Sequence, residues 1–203
     1  MSKKTKKNIR PINKTADNNR HIGLVRVENN RNTDNDIYRV NMQALKEHYP
    51  DLAAKIERTP INNKYVVSRV GSQANFNLYS REGNFYYYNI DDPFEDVTKQ
   101  IKALNLKNAR LAVFLGIGLG YELMHYAQNE SEKQNTSYIL VIEKDLEIFR
   151  AAIETFDLTG FITHPQFKLI VGLEEGDLYT SIREYLSENN RYFLLKALKF
   201  IYH

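Results

Sequence analysis

The stretch Phe114-Leu115-Gly116-Ile117-Gly118-Leu119-Gly120-Tyr121-Glu122-Leu123 decides the fold of this 203-residue chain. It continues an apolar segment, Leu111–Leu115, that predicts a buried strand, and it leads into Tyr121–Asn129, which predicts a helix. Three glycines at alternate positions let the backbone turn tightly and approach a ligand closely. The free N–H groups at the start of the helix favour an anionic or polar ligand. The stretch therefore predicts a strand–loop–helix unit with a candidate binding loop at Gly116, Gly118 and Gly120.

Strands and helices alternate through the rest of the second half of the chain. Apolar segments predict strands at 111–115, 138–142 and 167–171, and helical spacing predicts helices at 121–129, 146–156 and 174–186. Strands this apolar, alternating with helices, are typical of a parallel sheet covered on both faces. We therefore predict an α/β fold in which residues 105–203 form a short Rossmann-like parallel sheet with flanking helices.

The chain ends on an amphipathic segment, residues 192–203, which predicts a last helix. The segment stops without a cap or a breaker. We therefore expect the chain to be a piece of a longer protein.

Residues 37–104 predict two short helices and a small antiparallel β meander. Asn41 can cap a first helix over 42–48, and Pro50 suits the first turn of a second helix, Pro50–Arg58. Alternating, aromatic-rich segments at 65–70, 75–79 and 85–88 predict the three strands, with turns at 71–72 and 81–84. Asp92 then caps a further helix that begins at Pro93. Its predicted apolar face consists of Phe94, Val97, Ile101 and Leu104.

Composition excludes several classes of protein. The chain has no cysteine, which rules out disulfides, thiolate metal sites and cysteine nucleophiles. No apolar run reaches the ~20 residues of a membrane-spanning helix, and no signal peptide is recognisable. We therefore expect a cytoplasmic protein.

Basic charge is concentrated in the first residues. Residues 1–20 carry seven Lys or Arg against Asp17, a net charge of +6, whereas the whole chain carries +3. Residues 1–36 therefore predict a flexible basic leader. The remainder is slightly acidic and has no basic stripe, so we do not expect nucleic-acid binding.

The glycine spacing departs from the dinucleotide fingerprint, because Tyr121 stands where its last glycine would fall. That departure favours a loop like that of S-adenosylmethionine-binding folds. Glu143 follows the second strand of the unit, about 20 residues beyond the loop, where a carboxylate can accept hydrogen bonds from a ribose. The structural alternative is that the glycines only pack helix against strand, Asp145 caps the next helix and Glu143 is solvated. Glu122, in the first turn of the helix, would repel a phosphate or simply complement the helix dipole.

Other candidate sites are weaker. Asp34 and Asp36 resemble a metal-binding pair of nucleotide-sugar glycosyltransferases, but they fall in the predicted flexible leader, where a solvated turn is the better explanation. The five histidines show no metal-ligand spacing, so no metal site is predicted. No acid–base pair stands out, and catalytic residues stay unassigned.

Three motifs in order resemble the Maf proteins (motility-associated factors), a family of bacterial flagellin glycosyltransferases. They are Leu115-Gly-Ile-Gly-Leu-Gly-Tyr-Glu-Leu123, Val141-Ile-Glu-Lys-Asp-Leu-Glu-Ile-Phe-Arg150 and Leu169-Ile-Val-Gly172. The segment from Asn41 through Tyr49-Pro50-Asp51-Leu52-Ala53 also looks like the start of that family. The resemblance covers roughly residues 37–203.

The resemblance implies a modular enzyme that transfers a nonulosonic acid from its CMP-activated form to Ser or Thr of flagellin. In the family an MptE-like transferase region follows the N-terminal domain, and this chain ends where that region should begin. The resemblance therefore implies an isolated N-terminal domain without the catalytic residues, serving substrate recognition or assembly with its own C-terminal transferase domain. The residues it carries over are Gly116, Gly118, Gly120, Glu122, Glu143, Lys144 and Asp145, as candidate ligand-binding positions.

Two competing hypotheses stay open. One is a small S-adenosylmethionine-dependent methyltransferase that uses the glycine loop, although the chain leaves little room for a substrate-selecting half. The other is a non-catalytic interaction module whose loop is empty. In the full-length protein the loop's ligand could be a nucleotide or a nucleotide sugar such as CMP-nonulosonic acid.

Overall fold

The computed structural model describes residues 34–71, 75–104, 106–131 and 133–202. The α helices are α1 (Asp34–His48), α2 (Pro50–Arg58), α3 (Pro93–Ala103), α4 (Tyr121–Asn129), α5 (Leu146–Thr155), α6 (Thr159–Ile162) and α7 (Glu175–Ser187). The strands are β1 (Tyr65–Val70), β2 (Asn75–Ser80), β3 (Phe85–Tyr86), β4 (Leu111–Leu115), β5 (Tyr138–Glu143), β6 (Phe167–Val171) and β7 (Leu198–Tyr202), and a 3₁₀ helix spans Glu188–Ala197. Of the expected leader, residues 1–33 lie outside the described residues, and 34–36 belong to α1.

A four-stranded parallel sheet organises the second half of the chain, in the order β6-β5-β4-β7. Side chains alternate across it, so that Ala112 and Phe114 of β4 face one apolar layer while Leu111 and Val113 face the other. Helices α1, α4 and α5 cover the first face, and α7 with the 3₁₀ helix covers the second. The predicted α/β fold with a Rossmann-like parallel sheet is confirmed.

The last segment of the chain corrects the sequence prediction. The expected helix over 192–203 is wrong: the 3₁₀ helix leads into β7, which pairs in parallel with β4 from Leu111↔Leu198 to Leu115↔Tyr202. Without β7, the backbone groups on that side of β4 would have no strand to bond, and a buried unpaired backbone group is costly. Edge pairing therefore outweighs the helical spacing of the apolar residues.

The meander forms as expected, with β1 and β2 antiparallel from Tyr65↔Ser80 to Val70↔Asn75. Its third strand is shorter than the predicted 85–88, because β3 pairs with β2 only through Phe85 and Tyr86. The turn at 81–84 is present, whereas Ser72 of the other predicted turn lies outside the described residues.

The first helix begins earlier than predicted, and Asn41 does not cap it. Asn41 lies inside α1, fully buried, where its side-chain amide donates to the carbonyls of Ile153 and Phe156 at 2.8 and 2.7 Å. Its side-chain oxygen accepts the amide of Leu158 at 2.8 Å. The last carbonyls of α5 have no helical amide to bond. The buried side-chain amide of Asn41 donates to them instead of capping α1.

The other N-terminal elements follow the prediction. Helix α2 has Pro50 in its first turn, and Leu45, Ala53 and Ile56 are buried with Leu52 partly so. Asp92 caps α3 by accepting the amides of Phe94 and Glu95. In α3, Val97 and Ile101 are buried, whereas Phe94 and Leu104 are more exposed than their spacing predicted.

The helices and the meander of residues 37–104 share one hydrophobic core with the first face of the parallel sheet. Among the described residues, no helix combines the length and the apolar character that crossing a membrane requires.

Candidate functional site

The glycine loop turns the chain from β4 into α4 with three left-handed residues. Gly116, Gly118 and Gly120 have φ of 93°, 52° and 93°, a region that other residues reach only with strain. Gly120 is the N-cap of α4 and has no side chain to cap it. The loop is largely inside the protein, because Ile117 and Leu119 between the glycines are buried.

The loop's amides are bonded within the chain. The Gly116 amide donates to the Ile142 carbonyl (2.8 Å), and the Gly120 amide donates to the Ile117 carbonyl (2.7 Å). The Ile117 amide donates to the Glu143 carboxylate (3.0 Å), and the Leu119 amide donates to the Tyr88 hydroxyl (2.8 Å). In a phosphate-binding loop such amides point at the ligand. Here the protein itself fills most of those positions.

Glu143 clamps the loop to the end of β5. One carboxylate oxygen accepts the Ile117 amide at 3.0 Å, and the other accepts the Asp145 amide at 2.7 Å. The side chain is only 6% exposed, so the solvated Glu143 of the structural alternative is wrong. A carboxylate that accepts two backbone amides holds both segments by charge-assisted hydrogen bonds.

Tyr88 connects the meander to the loop. Its hydroxyl accepts the Leu119 amide and donates to the Glu122 carboxylate at 3.5 Å. Burial, and next the charge of Glu122, raise the pKa of Tyr88 well above its ordinary value of 10. Glu122 is itself buried, in the first turn of α4, so this carboxylate faces a tyrosine of the same chain.

Asp145 caps α5, as the structural alternative expected, by accepting the Glu147 amide at 2.8 Å. Its second oxygen accepts the Tyr65 hydroxyl at 3.1 Å and lies 3.8 Å from the Lys64 ammonium. Burial, and next the Asp145 charge, raise the pKa of Tyr65. Asp145 therefore ties β1 to the end of β5.

Tyr121, which stands in place of the fingerprint's last glycine, also binds the meander. Its hydroxyl accepts the Phe76 amide at 3.0 Å and donates to the Phe76 carbonyl at 2.9 Å. Its buried ring packs edge-on against Tyr88 and Phe94. The large side chain thus fills space beside the loop and bonds both backbone groups of Phe76 in β2.

The candidate residues converge on one region, at the carboxyl ends of β4 and β5. Of the seven candidate residues, only Glu143 and Lys144 line a cavity of about 250 Å³, which is bounded by β5, β6 and the start of α7. Lys144 is exposed, and the cavity also contains Glu175. The glycines do not contribute to its wall.

No group of three His, Asp or Glu side chains could hold a metal ion within the described ranges. Asp36 of the weak metal-binding pair lies 3.7 Å from Arg39 in an exposed contact.

Sequence reasoning missed three tyrosine hydroxyls, on Tyr65, Tyr88 and Tyr121, that connect the meander to the region around the glycine loop. A signal was present, because the chain has 14 tyrosines and no tryptophan, and several fall in the meander. Which partner each hydroxyl bonds depends on how the two sheets pack, and no local pattern encodes that.

The geometry defines a class of protein: an α/β domain with a Rossmann-like sheet, in which side chains from elsewhere in the same chain bond the amides of the glycine loop. Residues 87–203 match the model of the glycosyltransferase Maf N-terminal domain. The chain therefore belongs to that family, and the expected membership is confirmed.

One solved structure supports the fold. The Maf glycosyltransferase from Magnetospirillum magneticum AMB-1 is similar over 76% of this chain, with 14% identity and a TM-score of 0.58. This chain covers 30% of that protein's length. A weaker likeness, with 12% identity and a TM-score of 0.40, is to MNMC2 from Aquifex aeolicus, over 73% of this chain and 59% of that one. No curated protein sequence gives a match.

Proposed function

We propose that this chain is the N-terminal, non-catalytic part of a Maf-type flagellin glycosyltransferase in the cytoplasm. The full protein would transfer a nonulosonic acid from its CMP-activated form to Ser or Thr of flagellin. In this proposal residues 37–104 pack on the Rossmann-like unit 105–203, and the two together support substrate recognition or the docking of the transferase domain. Family membership supports the transferase part of the proposal.

The observation that carries the non-catalytic role is the internal use of the loop. Glu143, placed where a ribose-binding carboxylate would be, accepts two backbone amides instead. Tyr88 takes the Leu119 amide, and Tyr121 occupies the position of a fingerprint glycine. A nucleotide would have to displace these contacts. We therefore assign Gly116, Gly118, Gly120, Glu122, Glu143 and Asp145 to shaping the fold, whereas Lys144 is exposed at the cavity beside β5.

Thermal unfolding of the purified chain with candidate ligands tests this role. A ligand at about 100 times its Kd stabilises the folded state by about 2.7 kcal/mol, or roughly 5–10 °C in Tm for a chain of this size. We expect no such shift with CMP, CMP-sialic acid, S-adenosylmethionine or S-adenosylhomocysteine at millimolar concentration. A shift with the two methionine cofactors alone would contradict the empty loop and favour the methyltransferase hypothesis.

The flagellin part of the proposal needs the full-length protein in cells. We expect the mass of flagellin to fall by whole sugar units when the gene is deleted and to recover on complementation. A complementing gene that lacks residues 37–203 should leave flagellin unmodified even if the transferase region is expressed. Full modification by that truncated gene would contradict a supporting role for this domain.

A further inference from the structure

A second cavity, of about 380 Å³, lies along the outer edge of β6. Ile170 and Leu173 line both this cavity and the one that contains Glu143 and Lys144. Helix α2 forms one wall and α7 the other, and the backbone of residues 168–171 forms the floor. β6 is an edge strand of its sheet. The cavity therefore occupies the position of a fifth strand next to β6.

The hydrogen-bonding pattern shows which backbone groups face this cavity. Gln166 accepts the amide of Ile139, and the Gly172 amide donates to Glu143, so the even-numbered residues of β6 bond to β5. In a parallel ladder the residues between them turn their N–H and C=O groups to the other side. The groups of Phe167, Leu169 and Val171 accordingly point to the open edge.

Side chains occupy both ends of this edge. The Tyr49 hydroxyl donates to the Phe167 carbonyl at 3.1 Å and lies beside the Leu169 amide, which are the two groups that a residue of an added parallel strand would bond. At the other end the Lys55 ammonium donates to the Gly172 carbonyl. Between them, the Leu169 carbonyl and the Val171 amide have no partner among the described residues.

This remaining pair has the spacing of one added strand residue. In parallel pairing, one residue donates its N–H to a carbonyl and accepts the amide two positions further along the neighbouring strand. A residue bonded to Leu169 and Val171 would stand opposite Ile170, with its side chain on the same face of the sheet. Ile170 belongs to the apolar layer of α7, so that side chain would enter the layer that contains Tyr185.

Tyr185 supplies an independent observation at this point. It lines the cavity, it is only 4% exposed, and its hydroxyl has no hydrogen-bond partner among the described residues. A buried hydroxyl without a partner costs free energy, and such groups are rare in folded proteins. The Tyr185 hydroxyl and the open backbone pair are therefore polar groups at one cavity that have no hydrogen-bond partner among the described residues.

We propose that this edge cavity binds an extended peptide segment of a partner, which adds to β6 in parallel. One peptide residue bonds the Leu169 carbonyl and the Val171 amide, and its uncharged hydrogen-bonding side chain, such as that of Asn, meets the Tyr185 hydroxyl. Addition of a strand to an open sheet edge is a recurring mode of peptide recognition, in which backbone bonds give affinity and a side-chain pocket gives specificity. Two lysines (Lys55, Lys168) and three acidic residues (Asp51, Glu184, Glu188) line the cavity, so its charges do not strongly favour one sign. A neutral side chain also avoids the cost of burying a charge.

Amide NMR spectra of the ¹⁵N-labelled chain test the proposal with two matched peptides, N-acetyl-Asn-Val-Thr-amide and N-acetyl-Leu-Val-Thr-amide. Leu has nearly the shape of Asn but cannot bond the hydroxyl. We expect the Asn peptide to move the Val171 amide resonance and to bind about threefold to tenfold more tightly than the Leu peptide, the range for one hydrogen bond. Absence of a Val171 shift with millimolar Asn peptide, or equal binding of both peptides, would overturn the proposal.

Replacing Tyr185 tests whether its hydroxyl causes the preference for the Asn peptide. Tyr185→Phe removes a group that has no partner within the described residues, so the variant should fold, and it should bind the two peptides equally. Tyr179→Phe on the same helix is the control, because Tyr179 is 70% exposed and outside the cavity, and it should keep the preference for Asn. Survival of the preference in Tyr185→Phe would refute the assigned contact.

Discussion

Single buried polar side chains fix the geometry of this domain. Asn41 joins α1 to the end of α5 with two hydrogen bonds and to Leu158, just before α6, with a third. Glu143 joins the glycine loop to the start of α5 with two. Each lies where water cannot replace its partners. A buried donor or acceptor left without a partner costs about 1–3 kcal/mol, so these residues determine how the elements fit together more than surface ion pairs do.

Glu143→Gln separates a structural role from a ribose-binding one. The substitution turns one acceptor into an NH₂ group that faces a backbone amide, so we expect the free energy of unfolding to fall by about 1–3 kcal/mol. Denaturant unfolding measures this loss. Glu154→Gln in α5 is the control, because it removes the charge from a partly exposed ion pair with Arg150 that is worth at most about 1 kcal/mol. A Glu143→Gln variant as stable as the original would mean that the carboxylate serves a ligand rather than the fold.

The loop between β4 and α4 depends on backbone conformation more than on side-chain space. A methyl group at Gly120 would meet its nearest described neighbour, Leu158, at an ordinary 3.7 Å, yet the φ of Gly120 is +93°. The loop can therefore accommodate a side chain sterically but not conformationally. The same logic applies to Gly172 after β6, where φ is +65° and, in addition, a Cβ would lie 2.7 Å from Leu146.

Two glycine-to-alanine variants test this distinction. Gly120→Ala should lower the free energy of unfolding by about 1–2 kcal/mol, the cost of a left-handed residue with a Cβ. Gly176→Ala, in the first turn of α7, has no atom within 4 Å of the new methyl group and an ordinary φ. It should leave stability unchanged or raise it by up to about 1 kcal/mol. Equal effects of the two variants in denaturant unfolding would disprove the conformational argument.

Across the whole molecule, tyrosines hold the meander and the sheet together. Tyr121 bonds both backbone groups of Phe76 in β2, and Tyr49 bonds the edge of β6 in a similar way. In each case a hydroxyl that can both donate and accept takes the place of a missing strand. The same burial makes these side chains sensitive to high pH.

Alkaline pH should therefore weaken the whole fold. Burial is the main cause that raises the pKa of Tyr121, Tyr126 and Tyr185 to about 12 from an ordinary 10. Because the folded-state pKa is the higher one, the stabilisation is complete below about pH 10 and is lost as pH rises toward 12. Each group contributes roughly 2–3 kcal/mol to this loss.

Unfolding by urea at a series of pH values from about 9 to 12 measures this loss. The stability of the unsubstituted chain should fall most steeply above about pH 10. Tyr126→Phe removes one of the tyrosines whose pKa is raised to about 12, together with its 2.7 Å bond to Thr136. Its stability should start lower but decline less steeply. A stability that does not change with pH over this range would contradict the burial of these hydroxyls.

Local sequence patterns were sufficient for the parallel sheet, the meander and the glycine loop. The apolar strands β4, β5 and β6, the helix α4 and the cap Asp92 each follow from spacing and residue type within a few neighbours. The pattern failed at residues 192–203, because an amphipathic spacing suits a helix, whereas the open side of β4 required a strand. It failed again at Asn41, since a preference for helix caps says nothing about distant carbonyls.

The order of its residues determined that this chain forms a Rossmann-like unit with a left-handed glycine turn, because hydrophobic period and backbone freedom are local properties. Whether the turn is open to a ligand was decided only in three dimensions. Glu143, Tyr88 and Tyr121 fill the turn because two sheets bring together residues up to 45 positions apart in the chain, and buried amides there must find partners within the protein. Tertiary packing likewise left the Tyr185 hydroxyl and the middle of the β6 edge without hydrogen-bond partners among the described residues.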